Sequence, residues 1–167
     1  MSFNMPRVVS FFVILLAQVL FAKNVVLFNT AFCLFYILYI LTFPVETNPL
    51  VLMLAAFVLG CAIDIFYDSI GMHAMASVFV AYVRGFWLSR ITPQGGYDRN
   101  AAATLAANGL QWFVVYAMPL VFIHHTALFF IEAGGATYFW FTLLKVLMST
   151  LFTVGIMIIV QMFFSRK

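Results

Sequence analysis

Five ionisable side chains lie inside or beside long apolar runs, and they are the residues best placed to do chemistry: Asp64, His73, His124, His125 and Lys145. Counted from the nearer ends of their runs, Asp64 is a few residues in, the His124-His125 pair about five and Lys145 about seven, the last on the order of 10 Å at ~1.5 Å per residue. All fall at a similar depth. An uncompensated charge at mid-membrane costs ~2.5–3.5 kcal/mol on insertion scales, so such groups turn to a bundle interior and take partners there. The expectation is a polar cluster in the outer half of a helical bundle, with Asp64 and Lys145 as its ion pair and His73, His124 or His125 nearby. The alternative for Lys145 is that it snorkels outward alone. His124 and His125 are about 100° apart around a helix, so one is expected to face the interior and the other lipid headgroups or a partner.

Buried Asp, His and Lys between helices are the usual parts of proton-coupled or ligand-binding sites. They are not in the spacing of a zinc site such as HExxH. No Ser nucleophile elbow, Gly-rich phosphate loop or paired catalytic aspartates are present. No catalytic residue, metal or cofactor is therefore assigned. The favoured reading is that these groups fix helix register and build a surface for other membrane proteins; the alternative is a small-molecule-binding or transport subunit with an outer polar pocket.

The elements that must position these residues follow from composition. The chain has 167 residues, 66% hydrophobic, 19% aromatic and 8% charged, against about 25% charged in soluble domains. That excludes a soluble fold and leaves a polytopic membrane protein of one transmembrane domain. Its net charge of +3 comes from basic residues lying singly between apolar runs, which argues against nucleic acid as a partner. Cys33 and Cys61, each inside an apolar run, read as small hydrophobes. The fold class expected is an all-α, compact six-transmembrane-helix bundle with spans near 8–22, 25–43, 50–66, 74–88, 109–131 and 138–164. The bulky Leu20 at the minus-three position before Ala22 argues for an uncleaved first span rather than a signal peptide.

Short loops rich in Lys and Arg stay cytoplasmic. With the N-terminus inside, Arg7, Arg84, Arg90, Arg99, Arg166 and Lys167 all become cytoplasmic and Lys23 is the one basic residue in an outside loop. Both termini are thus expected inside. The 89–100 stretch, SRITPQGGYDRN, is the longest polar segment; it reads as a solvated loop carrying topogenic charge, or as a docking site for a cytoplasmic partner or anionic lipid. Arg84, Arg90 and Arg99 are its expected contact residues.

Ala56, Gly60 and Asp64 in the third span, and Ser77, Ala81 and Gly85 in the fourth, follow i, i+4, i+8 spacing. Small residues in such stripes let helix backbones approach closely, a main source of association energy in lipid. Between the two spans Gly71 suits a tight turn, and Asp68 or Ser69 is placed to cap the following helix.

These residues also carry a resemblance. Gly60-Cys61-Ala62-Ile63-Asp64-Ile65-Phe66 followed by Gly71-Met72-His73-Ala74 resembles the GLxxDxx…G…A signature of the MreD family of rod-shape-determining proteins, and Arg84 after the small-residue stripe fits as well. The fifth span, Gln111-Trp112-Phe113 through Tyr116 and His124-His125 to Phe129-Phe130-Ile131-Glu132, resembles the form of that family found in Bacteroidota. Size, span number and hydrophobicity agree over nearly the whole chain; the N-terminal segment and the Ala-rich 101–107 stretch match nothing assignable. The resemblance implies a non-enzymatic subunit of the cell-elongation machinery in the bacterial inner membrane. It would work with MreC, the RodA polymerase, its penicillin-binding transpeptidase and the MreB filament in lateral peptidoglycan synthesis. The fold implied is similar to the six-helix substrate-binding subunit of energy-coupling-factor transporters.

Overall fold

The computed structural model describes residues 5–97 and 102–164. The expectations placed on Arg99, Arg166 and Lys167 lie outside the described residues. The elements in chain order are α1 (Met5–Leu20), a 3-10 turn (Ala22–Asn24), β1 (Val26–Leu27), β2 (Ala31–Phe32), α2 (Ile37–Leu41), α3 (Pro49–Tyr67), α4 (Met72–Arg90), α5 (Leu105–Asn108), α6 (Leu110–Glu132) and α7 (Phe139–Phe164). Among the described residues, four stretches are long and apolar enough to cross a membrane: Met5–Asn24, α3, α6 and Phe139–Phe163. Helix α4 matches α3 in length at 19 residues. It is less apolar because it carries His73, Ser77 and Arg84 on its buried side.

The second expected span is corrected. Residues 25–43 do not form a long helix: they begin as an antiparallel hairpin pairing Val26 with Phe32 and Leu27 with Ala31, then enter the bundle and form only the five-residue α2. Phe28 and Asn29 hold the hairpin tip at φ +52° and +53°. Asn tolerates that left-handed conformation and Val and Phe favour strand, whereas a buried apolar run reads the same for either structure. Irregular backbone inside a bundle survives only where protein groups satisfy its amides and carbonyls. Here α1 and α7 supply them. Ser149 Oγ accepts from Phe32 N at 2.9 Å and Thr153 Oγ1 from Leu34 N at 3.2 Å. On the other side Gln18 accepts from Tyr36 N at 3.1 Å and donates to the Cys33 carbonyl at 2.9 Å.

The segment runs from one end of the molecule to the other. At its start Lys23 donates to the Phe66 carbonyl beside the α3–α4 turn; at its finish Arg7, at the far end of α1, lies 4.3 Å from the Phe43 ring centroid. All five residues of α2 are buried. The core forms around it, with Tyr36, Ile40, Leu59 and Ile63 in one cluster and Ile37, Leu41, Phe113 and Leu120 in the next. Helix α1 lies at the edge, its Gln18 buried while Val9, Phe12, Val13 and Leu16 are exposed. Pro119 lies inside the continuous α6 and, lacking an N–H, leaves the Val115 carbonyl four residues earlier without its helical partner; Trp87 Nε1 donates to that carbonyl at 3.2 Å.

Candidate functional site

Asp64 sits one turn before the end of α3 and is 7% exposed. Its Oδ1 accepts from Ser69 Oγ at 2.6 Å and from His73 N at 3.0 Å, and its Oδ2 from Ala74 N at 2.9 Å. The amides of the first turn of α4 have no partner within their own helix, and the N-cap residue Gly71, at φ +74°, has no side chain to offer. The carboxylate of the preceding helix performs that capping. This corrects two expectations. Asp64 does not pair with Lys145, because both its oxygens are occupied at the α3–α4 turn. Neither Asp68 nor Ser69 caps α4: Asp68 ends α3 at φ +52°, and Ser69 braces Asp64.

Gly60 completes this joint. A Cβ placed there would stand 2.3 Å from Ala74 Cα and 2.6 Å from Ala74 N, so α4 begins directly against the α3 backbone. Ala56, Ser77 and Ala81 are also buried, whereas nothing lies within 4 Å of a Cβ built on Gly85. Gly85 is therefore corrected as a packing residue. Each i+4 step drifts about 40° around a helix, and the buried stripe of α4 turns instead through Ser77, Ala81, Arg84 and Leu88. Gly71, likewise in open space, serves the turn rather than packing.

The histidines meet at a residue that their spacing did not flag. The Tyr36 hydroxyl, fully buried, lies 2.9 Å from His73 Nδ1 and 2.8 Å from His124 Nε2. One hydroxyl proton cannot serve two acceptors, so at least one imidazole presents its N–H to the phenol oxygen. His124 Nδ1 has no partner among the described residues. His125 Nδ1 lies 2.7 Å from the Val121 carbonyl, which requires a proton on that nitrogen, and its Nε2 is 3.3 Å from Thr153 Oγ1. Both adjacent histidines are completely buried, which corrects the expectation that one would face outward. Helix α6 packs between α4 and α7 and is roofed by the 25–43 segment, so two of its faces are interior. Gln18 Nε2 also donates to the Tyr67 hydroxyl at 2.7 Å, and the Tyr67 ring packs edge-on against His73 at 4.9 Å.

Lys145 takes a different acid. Its Nζ is 2.7 Å from Glu132 Oε2, and the ammonium lies 4.6 and 4.3 Å from the ring centroids of Phe32 and Phe129. The pair borders a partly enclosed cavity of about 150 Å³ that His73 and Asp68 also line. Asp64 is absent from its wall. Sequence spacing separated Glu132 from the cluster because it closes α6; the Phe139 start of α7 folds Lys145 back toward it.

Arg84 is corrected from a loop contact to a core residue, 1% exposed. Its Nε donates to the Tyr116 hydroxyl at 2.6 Å and its Nη2 to the carbonyls of Phe43 and Pro44, while the Tyr116 hydroxyl donates to the Leu41 carbonyl at 2.8 Å. These carbonyls end or follow α2, where unpaired acceptors and the helix dipole favour a cation. Arg90 remains exposed at the end of α4. In the following loop the Tyr97 hydroxyl donates back to the Leu88 carbonyl at 3.2 Å.

Asp64, Tyr36, His73, His125 and Arg84 are each bound to backbone, to another helix or to both, whereas Ser77 Oγ and His124 Nδ1 are buried without a partner among the described residues; among those residues no three His, Cys, Asp or Glu gather as a metal-ligand set. Fold and site define a mostly helical membrane protein with a polar-bonded core and a small cavity lined by charged groups of both signs. No family model, curated protein or solved structure matches the chain.

Proposed function

We propose that this protein is a non-enzymatic adaptor of the MreD type in the bacterial inner membrane, crossing it six times with both termini in the cytoplasm. Helices α1, α3, α4, α6 and α7 supply five crossings and the 25–43 segment the sixth, in an arrangement similar to the substrate-binding subunit of energy-coupling-factor transporters. Its partners are MreC and, through it, RodA with its penicillin-binding transpeptidase and MreB. The observation that carries this reading is the use made of the signature residues: Gly60, Asp64, Gly71 and His73 form one structural joint, with both carboxylate oxygens engaged by three donors. A signature spent on helix geometry suits a protein that works by its shape. Depletion in the rod-shaped host tests it: cells should round, and cells that stay rod-shaped would reject the assignment.

A second reading, a ligand-binding subunit, is favoured by one observation. The cavity beside Lys145 and Glu132 retains charged groups that internal bonding does not exhaust.

A further inference from the structure

The cavity at the Lys23 end gathers charged groups of both signs that keep unused donors and acceptors. Lys145 uses one of its three N–H donors on Glu132 Oε2 and is fixed laterally by the Phe32 and Phe129 rings. Two donors remain. His73 has its Nδ1 committed to Tyr36, which fixes the ring and leaves Nε2 as the nitrogen available to an occupant. On the acceptor side, Glu132 Oε1 and the Asp68 carboxylate have no protein partner among the described residues. The Glu132 side chain is 49% exposed and that of Lys145 16%, so the charged mouth opens at the surface of the bundle while its wall of Tyr67 and Phe129 is largely apolar.

The mixture of charges selects the occupant. A simple anion would meet Lys145 but also two carboxylates. A simple amine would meet the carboxylates but stand against an ammonium that two rings hold in place. A molecule bearing both charges a few ångströms apart satisfies donors and acceptors together, and charge-assisted bonds of this kind are the strong ones. A volume of about 150 Å³ is enough to hold benzene in an engineered apolar cavity, which sets the size at about six heavy atoms. We propose that this cavity binds a small zwitterion of amino-acid size, its carboxylate on Lys145 Nζ and His73 Nε2 and its ammonium on Glu132 and Asp68. The inference rests on the second reading above and leaves the adaptor reading intact.

Saturation-transfer NMR on the full chain in lipid nanodiscs tests it, with L-alanine, ethylamine and propionate as separate probes. Transfer to alanine is expected, with ethylamine and propionate each at least about tenfold weaker. Lys145→Gln and Glu132→Gln should each weaken alanine by about tenfold or more, while Arg90→Gln, at an exposed cation on the far end of α4, should leave it unchanged. Ethylamine or propionate binding as well as alanine in the wild-type protein would overturn the zwitterion assignment while keeping the cavity as a ligand site. Transfer to none of the three would reject both, and alanine binding unaffected by Lys145→Gln would place the ligand elsewhere. The wild-type comparison of the three probes decides the matter even where a variant fails to fold.

Discussion

Replacing Asp64 by alanine isolates the cap on which the α3–α4 joint depends. The substitution removes an acceptor from Ser69 Oγ and from the amides of His73 and Ala74, all in a site where Asp64 is 7% exposed. Ser69 can turn to another acceptor, but the two amides cannot: their helix offers none in its first turn. A buried donor left without a partner costs about 1–3 kcal/mol. Two such donors, with the loss of a charged acceptor near the positive end of α4, give an expected destabilisation of about 3–5 kcal/mol. Asn keeps one carbonyl oxygen but turns an N–H₂ toward the second amide, so Asp64→Asn should lose about 2–3 kcal/mol. Ser69→Ala leaves both amide bonds in place and should cost about 1 kcal/mol. Reversible unfolding in mixed detergent micelles, followed by helical circular dichroism, would read this order. Asp64→Ala within about 0.5 kcal/mol of wild type, below the usual effect of losing a helix cap, would refute the reasoning and make the carboxylate incidental to the joint.

The two glycine stripes should separate cleanly: Gly60→Ala forces α3 and α4 apart and should cost at least about 1–3 kcal/mol as overpacking, while Gly85→Ala should be neutral or stabilise by up to about 1 kcal/mol. Thermal unfolding of the two variants side by side measures this. Thr153→Val keeps shape but removes the acceptor for Leu34 N, and should lower unfolding stability by about 1–3 kcal/mol. Cysteine at Ile70, which is fully exposed, should react with an impermeant maleimide added outside intact cells, and cysteine at the exposed Gln94 should not. The opposite labelling pattern would invert the proposed orientation; the partly exposed Cys61 is replaced by serine in both variants, and the other native cysteine, Cys33, is buried.

The long helices were legible because their apolar runs end at Pro, Gly and charge: Asn48-Pro49 starts α3 and Gly109 precedes α6. The 25–43 segment was not. Its hydrophobicity is that of a spanning helix, and what diverts it is a set of polar side chains far away in the sequence, Gln18, Ser149 and Thr153, whose partners emerge only in the folded chain. Those three residues were visible as polar interruptions of apolar runs, which is the signal that was available. Asp64, His73 and both histidines of α6 are buried, where the sequence reading placed one of the two histidines outside: depth along a helix does not fix direction around it. Asp64 faces α4, Lys145 faces Glu132, and Tyr36 joins His73 to His124. Arg84 was misplaced because a cation near a helix end reads as a topogenic charge unless its face is considered; it lies on the same stripe as Ser77 and Ala81.

The adaptor reading is tested most directly by what the protein holds in its own membrane. Affinity purification of the tagged protein from gently solubilised membranes of its native host, followed by mass spectrometry, should recover an MreC-like bitopic protein enriched over an untagged control if the proposed adaptor role is right. Recovery of the intact, folded chain with no elongation protein enriched would contradict the account.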